Sequence, residues 1–456
     1  MMIQRTAELK QLEEIYKKSG NTLTLIVANK RIGKEDLIKE FCKDKKTFYY
    51  RARNASKELQ LDILLKEAEE FVKDEIPVTS FEACFSAIAD IKEAGKKTVI
   101  VLDEFQHMVK KETDAFNAIT ALKDGKLSDN EVCVILINSL VSWTNKEMDT
   151  VLGNSVSKID ERLALTDATF LEIVRAFPQF NVSECVKTYG VFGGVPKYLS
   201  YINPKKSIRD NIIETILSPE GPLFSEAEDL ISSELRELSV YDTILSSIAR
   251  GNEKLNDLYL DTGYSRAKII VYLKNLASFD IIEKVVSFET GGWDNTKKGV
   301  YRIKNHFVSF YFRFIYPNLS KLYVMEPKDF YQEYIAKDLD DYLRPYFVSV
   351  CHEYLSLLNR MGKAPIRIKR MGTWVGKEGT IDVVGEDDER NYVVGICNWD
   401  KAMLPVSRYE ELLKNLELAR IQANAIFLFS ATSFDKALTQ IAKENSNVIL
   451  VDMKEL

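Results

Sequence analysis

Three runs of apolar residues, Leu23–Val27, Thr98–Leu102 and Val132–Ile137, constrain the fold more than any other feature of the chain. Each run is long enough for a buried strand and contains no charged residue, and segments with helical spacing separate the runs. Strands that are apolar on both faces are typical of a parallel sheet covered by helices on both sides. Residues 1–165 therefore predict an α/β domain.

A loop that resembles a phosphate-binding loop follows the first of these strands. In the full pattern, G-x-x-x-x-G-K-[ST], backbone N–H groups surround the phosphates, the lysine contacts the β and γ oxygens, and the hydroxyl holds Mg²⁺. Here Gly33 and Lys34 are present, but Ala28 replaces the first glycine and Glu35 replaces the hydroxyl residue. Because Glu35 places a carboxylate near the triphosphate, we expect weakened binding and slow or absent hydrolysis.

Two acidic residues, Asp103 and Glu104, directly follow the strand Thr98–Leu102. An apolar strand followed by Asp-Glu is the Walker B pattern, in which the aspartate holds Mg²⁺ and the glutamate polarises the attacking water. Ligands bind at the carboxyl ends of strands in such sheets. The pattern predicts an ATP and Mg²⁺ site, with Asp103 and Glu104 catalytic and with Asp103 and Glu35 as metal ligands. The alternatives are a solvated strand end and an ordinary surface lysine at Lys34.

The bulk composition narrows the class of protein. A chain of 456 residues with 46% hydrophobic and 29% charged residues builds several folded domains. The net charge of −6 argues against general coating of nucleic acid, and the six cysteines and three histidines show no metal-site spacing. Without a membrane-length apolar run or a signal-peptide pattern, the expectation is a cytoplasmic protein with no membrane partner.

The pattern changes after the first domain. Residues 166–235 have a mostly helical pattern, and residues 236–305 predict three short helices and a hairpin, the layout of a winged helix-turn-helix. Residues 306–345 predict an aromatic helical linker, and residues 346–456 return to an α/β pattern. The fold class is therefore a multidomain α/β protein.

The order of these motifs resembles the archaeal-type branch of the STAND-like AAA+ ATPases over nearly the whole chain. The resemblance rests on the loop, on Asp103-Glu104-Phe105 and on the Gly-Gly-Val-Pro-Lys-Tyr-Leu segment that starts at Gly193. It implies a P-loop AAA+-like sheet with a helical lid, a winged helix and a C-terminal PD-(D/E)XK, or restriction-endonuclease-like, domain. The nucleotide-binding residues that it implies are Arg31, Ile32, Gly33, Lys34, Glu35, Asp36 and, near the base, Pro196.

The same resemblance places a nuclease-like site in the last domain. Asp382 matches the first metal carboxylate, and Glu353 matches a helical glutamate. Where the family has Glu-Cys-Lys-Trp, this chain has Ile396-Cys397-Asn398-Trp399. Because Ile396 and Asn398 remove a metal ligand and the lysine, the resemblance implies a degenerate nuclease site without activity.

Two basic regions are candidate DNA contacts. Arg266 and Lys268 lie near the start of the predicted recognition helix, and Lys369 and Arg370 belong to a stretch with six basic residues between 360 and 377. The alternatives are a protein-docking winged helix and a charged edge strand that resists aggregation.

The sequence leaves two functions open. The first is an ATP-binding switch with weak ATPase activity, which responds to nucleotide and contacts DNA. The second is an inactive scaffold that binds DNA or a protein after losing both catalytic sites. The kept Asp103 and Glu104 favour the first, whereas Glu35, Ile396 and Asn398 favour the second. No arginine finger can be assigned from the sequence.

Overall fold

The computed structural model describes residues 5–29, 31–91, 96–109, 113–288, 299–377 and 379–455. The chain divides into two compact units, one up to Asp167 and one from Ala168 onward. The finer division of the second unit into lid, winged helix, linker and nuclease-like domain stays a prediction. The sequence predicts a hairpin loop at Gly291-Gly292 and basic wing residues at Lys297 and Lys298, and these positions lie outside the described residues.

The first unit is built on a five-stranded parallel sheet, which confirms the predicted α/β fold. Its strands, in chain order, are β1 (Thr22–Ala28), β2 (Thr47–Arg51), β3 (Thr98–Asp103), β4 (Val132–Asn138) and β5 (Glu161–Leu165). The spatial order is β2-β3-β4-β1-β5, and every neighbouring pair is parallel. The loop after β1 and the acidic residues after β3 therefore reach the same edge of the sheet.

Helices cover both faces of this sheet, as its two separate apolar clusters require. The strands β3 and β4 are buried along their whole length, which explains their uninterrupted apolar sequences. The α-helices of this unit span Thr6–Lys17, Lys34–Cys42, Lys57–Val72, Phe81–Asp90, Gln106–Val109, Asp114–Lys123, Val141–Lys146 and Met148–Leu152, and a 3₁₀ segment spans Gly153–Lys158.

The second unit begins with helices and one hairpin. Its first part contains the α-helices Phe170–Ala176, Val182–Phe192, Pro196–Ser200, Ile208–Ile212 and Glu226–Glu234, with a π-helical turn at Ile213–Leu217. The helices Leu238–Ala249, Leu255–Thr262 and Arg266–Ser278 follow and lead into the antiparallel strands β6 (Ile282–Val286) and β7 (Gly299–Ile303). The side chain of Ser265 accepts a hydrogen bond from Lys268 N, so it caps the third helix.

The aromatic segment that follows forms part of a buried core. It contains α-helices at His306–Phe310, Leu319–Leu322 and Pro327–Phe330, π-helical turns at Tyr311–Ile315 and Tyr331–Ile335, and a 3₁₀ turn at Tyr316–Asn318. The long helix Leu339–Arg360 then leads into the last domain. Phe307, Phe310 and Phe314 are almost fully buried, so the aromatic stripe has a packing role.

A second five-stranded sheet, with spatial order β12-β11-β10-β9-β8, forms the last domain. Its strands are β8 (Arg370–Val375), β9 (Thr380–Glu386), β10 (Tyr392–Asn398), β11 (Ala423–Ser430) and β12 (Val448–Asp452), and its helices are Val406–Ala419 and Lys436–Glu444. The strands β8, β9 and β10 are antiparallel, whereas β10, β11 and β12 are parallel.

One strand prediction is wrong in this domain. The sequence predicts a strand at 365–370, but β8 begins only at Arg370. The Asn359 side chain donates to Ile368 O and accepts from Ile368 N, so both backbone groups of Ile368 bond to a side chain of the preceding helix.

Within the described residues, no helix is long and apolar enough to cross a membrane.

Candidate functional site

The loop after β1 turns sharply into the helix Lys34–Cys42. Gly33 has φ of 82° and Arg31 has φ of 71°, so both adopt the left-handed region that makes this turn. The guanidinium of Arg5 donates to Ile32 O at 2.9 Å and to Thr166 O at 2.7 Å. These bonds tie the buried Ile32 to the residue that follows β5, and they fix the loop against the sheet.

Lys34 is buried between Asp103, the last residue of β3, and Glu104, the residue that follows it. Its Nζ donates to Asp103 Oδ1 at 2.8 Å and to Glu104 Oε1 at 2.7 Å, and its side chain is only 3% exposed. The sequence prediction that Lys34, Asp103 and Glu104 lie together is therefore matched by the geometry. A buried lysine with two carboxylate partners satisfies its charge internally.

Neighbouring side chains occupy the remaining oxygens of the acidic pair. Tyr49 Oη donates to Asp103 Oδ2 at 2.9 Å, while Glu104 Oε2 accepts from Gln106 Nε2 at 2.6 Å and from the Ser139 hydroxyl. Glu104 also has φ of 56°, an unusual value for a residue with a side chain. Gln106 Oε1 is a buried acceptor with no hydrogen-bond partner among the described residues, so it can accept from a water or a ligand.

Burial and the hydrogen bonds of this site shift the pKa values of Glu104, Lys34 and Tyr49. Burial raises the pKa of Glu104, but the hydrogen bonds from Lys34, Ser139 and Gln106 outweigh burial and lower the pKa to about 2. Burial lowers the pKa of Lys34, but its two carboxylate partners outweigh burial and raise it. Burial, followed by the charge of Asp103, raises the pKa of Tyr49 well above its ordinary value. At neutral pH the site therefore holds a charged lysine and a neutral tyrosine.

Several functional side chains escape the sequence prediction. Tyr49 and Arg51 belong to β2, outside both sequence motifs, and only the pairing of β2 with β3 brings them to Asp103. Asn138 ends β4 and Ser139 follows it, but only Ser139 donates a hydrogen bond to Glu104. The Asn138 amide instead donates to Thr144 Oγ1 at 3.2 Å.

Glu35 and Asp36 are exposed in the first turn of the helix that Lys34 begins. Among the described residues, no group of three or more His, Cys, Asp or Glu is arranged to hold a metal ion. Lys34 and Tyr49 occupy both oxygens of Asp103, so this arrangement does not fit a divalent cation. The assignment of Asp103 and Glu35 as Mg²⁺ ligands stays a prediction.

The residues predicted to form a nuclease-like site have separate hydrogen-bond partners. Asp382 Oδ2 accepts from Cys397 N at 2.8 Å, whereas Glu353 accepts from Phe170 N at 2.8 Å and from Tyr189 Oη at 3.2 Å. Burial raises the pKa of both carboxyl groups. Ile396 is part of the apolar core, and the Asn398 amide donates to Ala402 O at 3.1 Å.

The four candidate DNA-binding cations all have local partners. The Arg266 guanidinium lies 4.0 Å from the Tyr259 ring centroid and donates to Asn256, and Lys268 Nζ lies 4.5 Å from the Tyr264 ring centroid. In the last domain, Lys369 pairs with Asp388 at 3.2 Å and Arg370 pairs with Glu386 at 2.7 Å.

Pro196 belongs to the second unit, where it is the first residue of the helix Pro196–Ser200. Gly194 precedes it, and a Cβ at Gly194 would lie well inside van der Waals contact with Ala168 O. The Gly-x-Pro segment therefore has a packing requirement of its own, and its role at a nucleotide base stays a prediction.

Several known proteins are similar to this chain in sequence or structure. An uncharacterized protein of Methanocaldococcus jannaschii is 26% identical over 466 aligned positions, which span 100% of both chains. A Walker-type ATPase of Pyrococcus abyssi has 17% identity and a TM-score of 0.48, covering 68% of this chain and 96% of its own. The ORC2 protein of Aeropyrum pernix has 15% identity and a TM-score of 0.46, covering 70% of this chain and 94% of its own.

Two family models match separate parts of the chain. Residues 311–422 match a family described as archaeal and bacterial proteins of unknown function. Residues 2–202 match a family described as an ATPase domain predominantly from Archaea. Lys34, Asp103 and Glu104 therefore lie in the part of the chain that matches the model of an archaeal ATPase domain.

Proposed function

We propose that the first unit binds ATP at Lys34 and hydrolyses it slowly, and that it works as a nucleotide-responsive switch. One observation carries the proposal: Lys34, the lysine of a phosphate-binding loop, lies buried between the two acidic residues of a Walker B pattern. The match of residues 2–202 to an archaeal ATPase domain supports the same reading.

The proposed binding step exchanges the partners of Lys34. A triphosphate at the loop attracts the Lys34 ammonium and the backbone N–H groups at the start of its helix. When Lys34 moves to the phosphates, Glu104 Oε1 loses its donor, while Gln106 and Ser139 still hold Oε2. Glu104 then has one free oxygen that can accept a proton from water. Gln106 Oε1 adds an acceptor that can orient this water.

The same exchange explains why we propose weak binding and slow turnover. The phosphates must replace two short ion pairs of Lys34 before they gain its charge. Glu35 adds a negative charge at the first turn of the helix, where a hydroxyl residue would otherwise stand. At about 5 Å and an effective dielectric near 20, each such charge pair costs roughly 3 kcal/mol before solvent screening of the exposed carboxylate.

Isothermal titration calorimetry of ATP tests this proposal. We expect binding by the unmodified protein, at least a tenfold loss in Lys34→Ala, and no change in Lys39→Ala, which removes an exposed lysine from the same helix. Glu104→Gln should keep ATP binding and lose phosphate release. The absence of ATP binding by the unmodified protein, or equal binding by Lys34→Ala, would contradict the proposal and favour the inactive scaffold.

The three helices and hairpin of residues 236–305 support a winged helix that contacts DNA. Arg266 and Lys268 lie in the first turn of the third helix, and stacking on tyrosine rings orders their side chains. The segment carries eleven Lys and Arg against nine Asp and Glu, so its electrostatic attraction to phosphate is modest. If fluorescence anisotropy with duplex DNA gives the same affinity for Arg266→Ala/Lys268→Ala as for the unmodified chain, a protein partner becomes the better assignment.

We also propose that the last domain is a nuclease-like fold without nuclease activity. Asp382 accepts from a backbone N–H, Glu353 caps the helix Phe170–Ala176, and Asn398 stands where the resemblance requires lysine. Incubation with plasmid DNA and Mn²⁺ should give no cleavage. Cleavage that Asp382→Ala abolishes would refute this assignment.

A further inference from the structure

We propose that Arg51 binds the terminal phosphate of the nucleotide and makes the site prefer triphosphate over diphosphate. This inference rests on the proposed function, because it assigns a role at the same nucleotide site. Arg51 lies at the carboxyl end of β2, outside both sequence motifs, and the sheet brings it to the acidic pair.

Strand pairing fixes the position of Arg51. In the parallel register of β2 and β3, Arg51 stands opposite Asp103. The next residue, Ala52, donates its N–H to Asp103 O at 2.8 Å, so the pairing continues past the end of β2. Arg51 Nε then lies 3.8 Å from Asp103 Oδ2, and its Nη2 lies 4.0 Å from Glu104 Oε1.

These distances indicate attraction without a hydrogen bond. Both exceed hydrogen-bond length, and the Arg51 side chain is 63% exposed. Asp103 and Glu104 already accept from Lys34, Tyr49, Gln106 and Ser139. The acidic pair therefore does not need Arg51 to satisfy its oxygens, and an exposed ion pair of this kind contributes little to stability.

Charge attraction therefore holds the Arg51 guanidinium near the acidic pair, while its N–H groups donate no hydrogen bond to that pair. A guanidinium presents five N–H donors in a planar fork that matches phosphate oxygens, and it stays charged at every physiological pH. In the proposed function Glu104 accepts a proton from the water that attacks the terminal phosphate, so the side of the site next to Glu104 is the side of that phosphate. An arginine beside Glu104 is thus placed to contact the γ-phosphate rather than the base or sugar.

The charge balance of the site gives Arg51 a reason to take part. Asp103, Glu104, Glu35 and Asp36 contribute four negative charges, and Lys34 and Arg31 contribute two positive charges. A triphosphate adds further negative charge at the point where the usual hydroxyl residue is missing. A further cation at the mouth of the site offsets part of this repulsion, most strongly for the phosphate nearest to it.

The competing role for Arg51 is structural, as an outer brace on the acidic pair. In that case its loss would lower stability without ligand and would weaken ATP and ADP binding by the same factor. Contact with the terminal phosphate instead affects ATP alone, because ADP has no γ-phosphate. The ratio of the two dissociation constants therefore separates the roles.

The test measures ATP and ADP dissociation constants by isothermal titration calorimetry for the unmodified chain, Arg51→Ala, Arg51→Lys and Lys46→Ala. Lys46 directly precedes β2 at its opposite end, so it is a matched removal of positive charge. We expect Arg51→Ala to weaken ATP binding at least tenfold and ADP binding less than threefold. Arg51→Lys should give an intermediate loss for ATP, and Lys46→Ala should change neither constant.

Equal losses for ATP and ADP in Arg51→Ala, or no loss for either, would overturn the inference while the proposed ATP site stands. A matching drop in the melting temperature of ligand-free Arg51→Ala would assign the residue to the structural role. If the unmodified chain binds neither nucleotide, the proposed function fails and the inference fails with it.

Discussion

Glu104 remains ionised in the folded protein to a lower pH than in the unfolded chain. Burial opposes this ionisation, but Lys34, Ser139 and Gln106 outweigh it and hold the pKa at about 2, below the ordinary value of 4.5. The stabilisation is therefore fully present above pH 4.5 and is lost as the pH falls toward 2. The fall in the Glu104 pKa from 4.5 to about 2 corresponds to at most about 3 kcal/mol of stabilisation, which Glu104 shares with Lys34.

Urea unfolding at a series of pH values checks this dependence. We expect the free energy of unfolding of the first unit to fall between pH 4.5 and 2, and Glu104→Gln should flatten part of that slope. Glu40→Gln, which changes an exposed glutamate of the helix Lys34–Cys42, should keep the slope. Identical slopes for Glu104→Gln and the unmodified chain would show that Lys34 does not hold Glu104 in solution.

Replacement of Glu35, also at the scale of a single residue, should strengthen ATP binding. Glu35→Ser removes a carboxylate from the first turn of the Lys34 helix and restores the hydroxyl of the complete loop pattern. We expect ATP affinity to rise at least tenfold, as measured by calorimetry, because the like charge disappears. Glu40→Ser, more than one turn further along the helix, should leave the affinity unchanged. Unchanged affinity in Glu35→Ser would mean that solvent already screens Glu35.

The sequence is informative for this site where its signal is local. Lys34, Asp103 and Glu104 stand in recognisable patterns after apolar strands, so their meeting could be predicted. Tyr49, Arg51 and Gln106 could not be assigned, since no pattern marks them. The roles of Tyr49 and Arg51 depend on the register of β2 against β3, which is a property of the folded sheet.

At the scale of elements, the segment around Gly194 has no room for a side chain. A Cβ there would collide with the backbone of Ala168, whose N–H donates to Gly194 O at 2.8 Å. We expect Gly194→Ala to destabilise the second unit by about 3 kcal/mol, at the upper end of the penalty for overpacking. Gly372→Ala is the control, since its Cβ would meet only the Phe288 ring at 3.4 Å. Equal melting temperatures for the two variants would contradict the expected clash.

The elements themselves follow their sequence patterns to different degrees. The strands β1, β3 and β4 are buried along their length, so their apolar runs identify them. The edge strand β5 (Glu161–Leu165) buries only two of its five residues, and no continuous apolar run marks it. The predicted start of β8 is too early because Asn359, on the helix that precedes this strand, forms hydrogen bonds with the backbone N–H and C=O of Ile368.

At the scale of the whole molecule, each of the two compact units has hydrophobic clusters of its own. We therefore expect two thermal transitions in differential scanning calorimetry. ATP should raise the transition of the first unit, by about 2.7 kcal/mol of stability at a concentration of 100 Kd, and the proposed switch predicts that the second transition shifts as well. A shift of both transitions would mean that nucleotide binding is coupled to the second unit, as the proposed switch requires. A shift of neither would argue against the ATP site.

The buried ion pairs of Lys34 also limit how fast a nucleotide can bind. A ligand cannot gain the lysine charge until the ammonium has left Asp103 and Glu104, so departure of the lysine is a unimolecular step that precedes tight association. In stopped-flow mixing with a fluorescent ATP analogue, the observed rate should therefore level off at high ligand concentration instead of rising in proportion. At nucleotide concentrations on that plateau, the release of Lys34 would set the rate of binding, and the amount of nucleotide would no longer affect it.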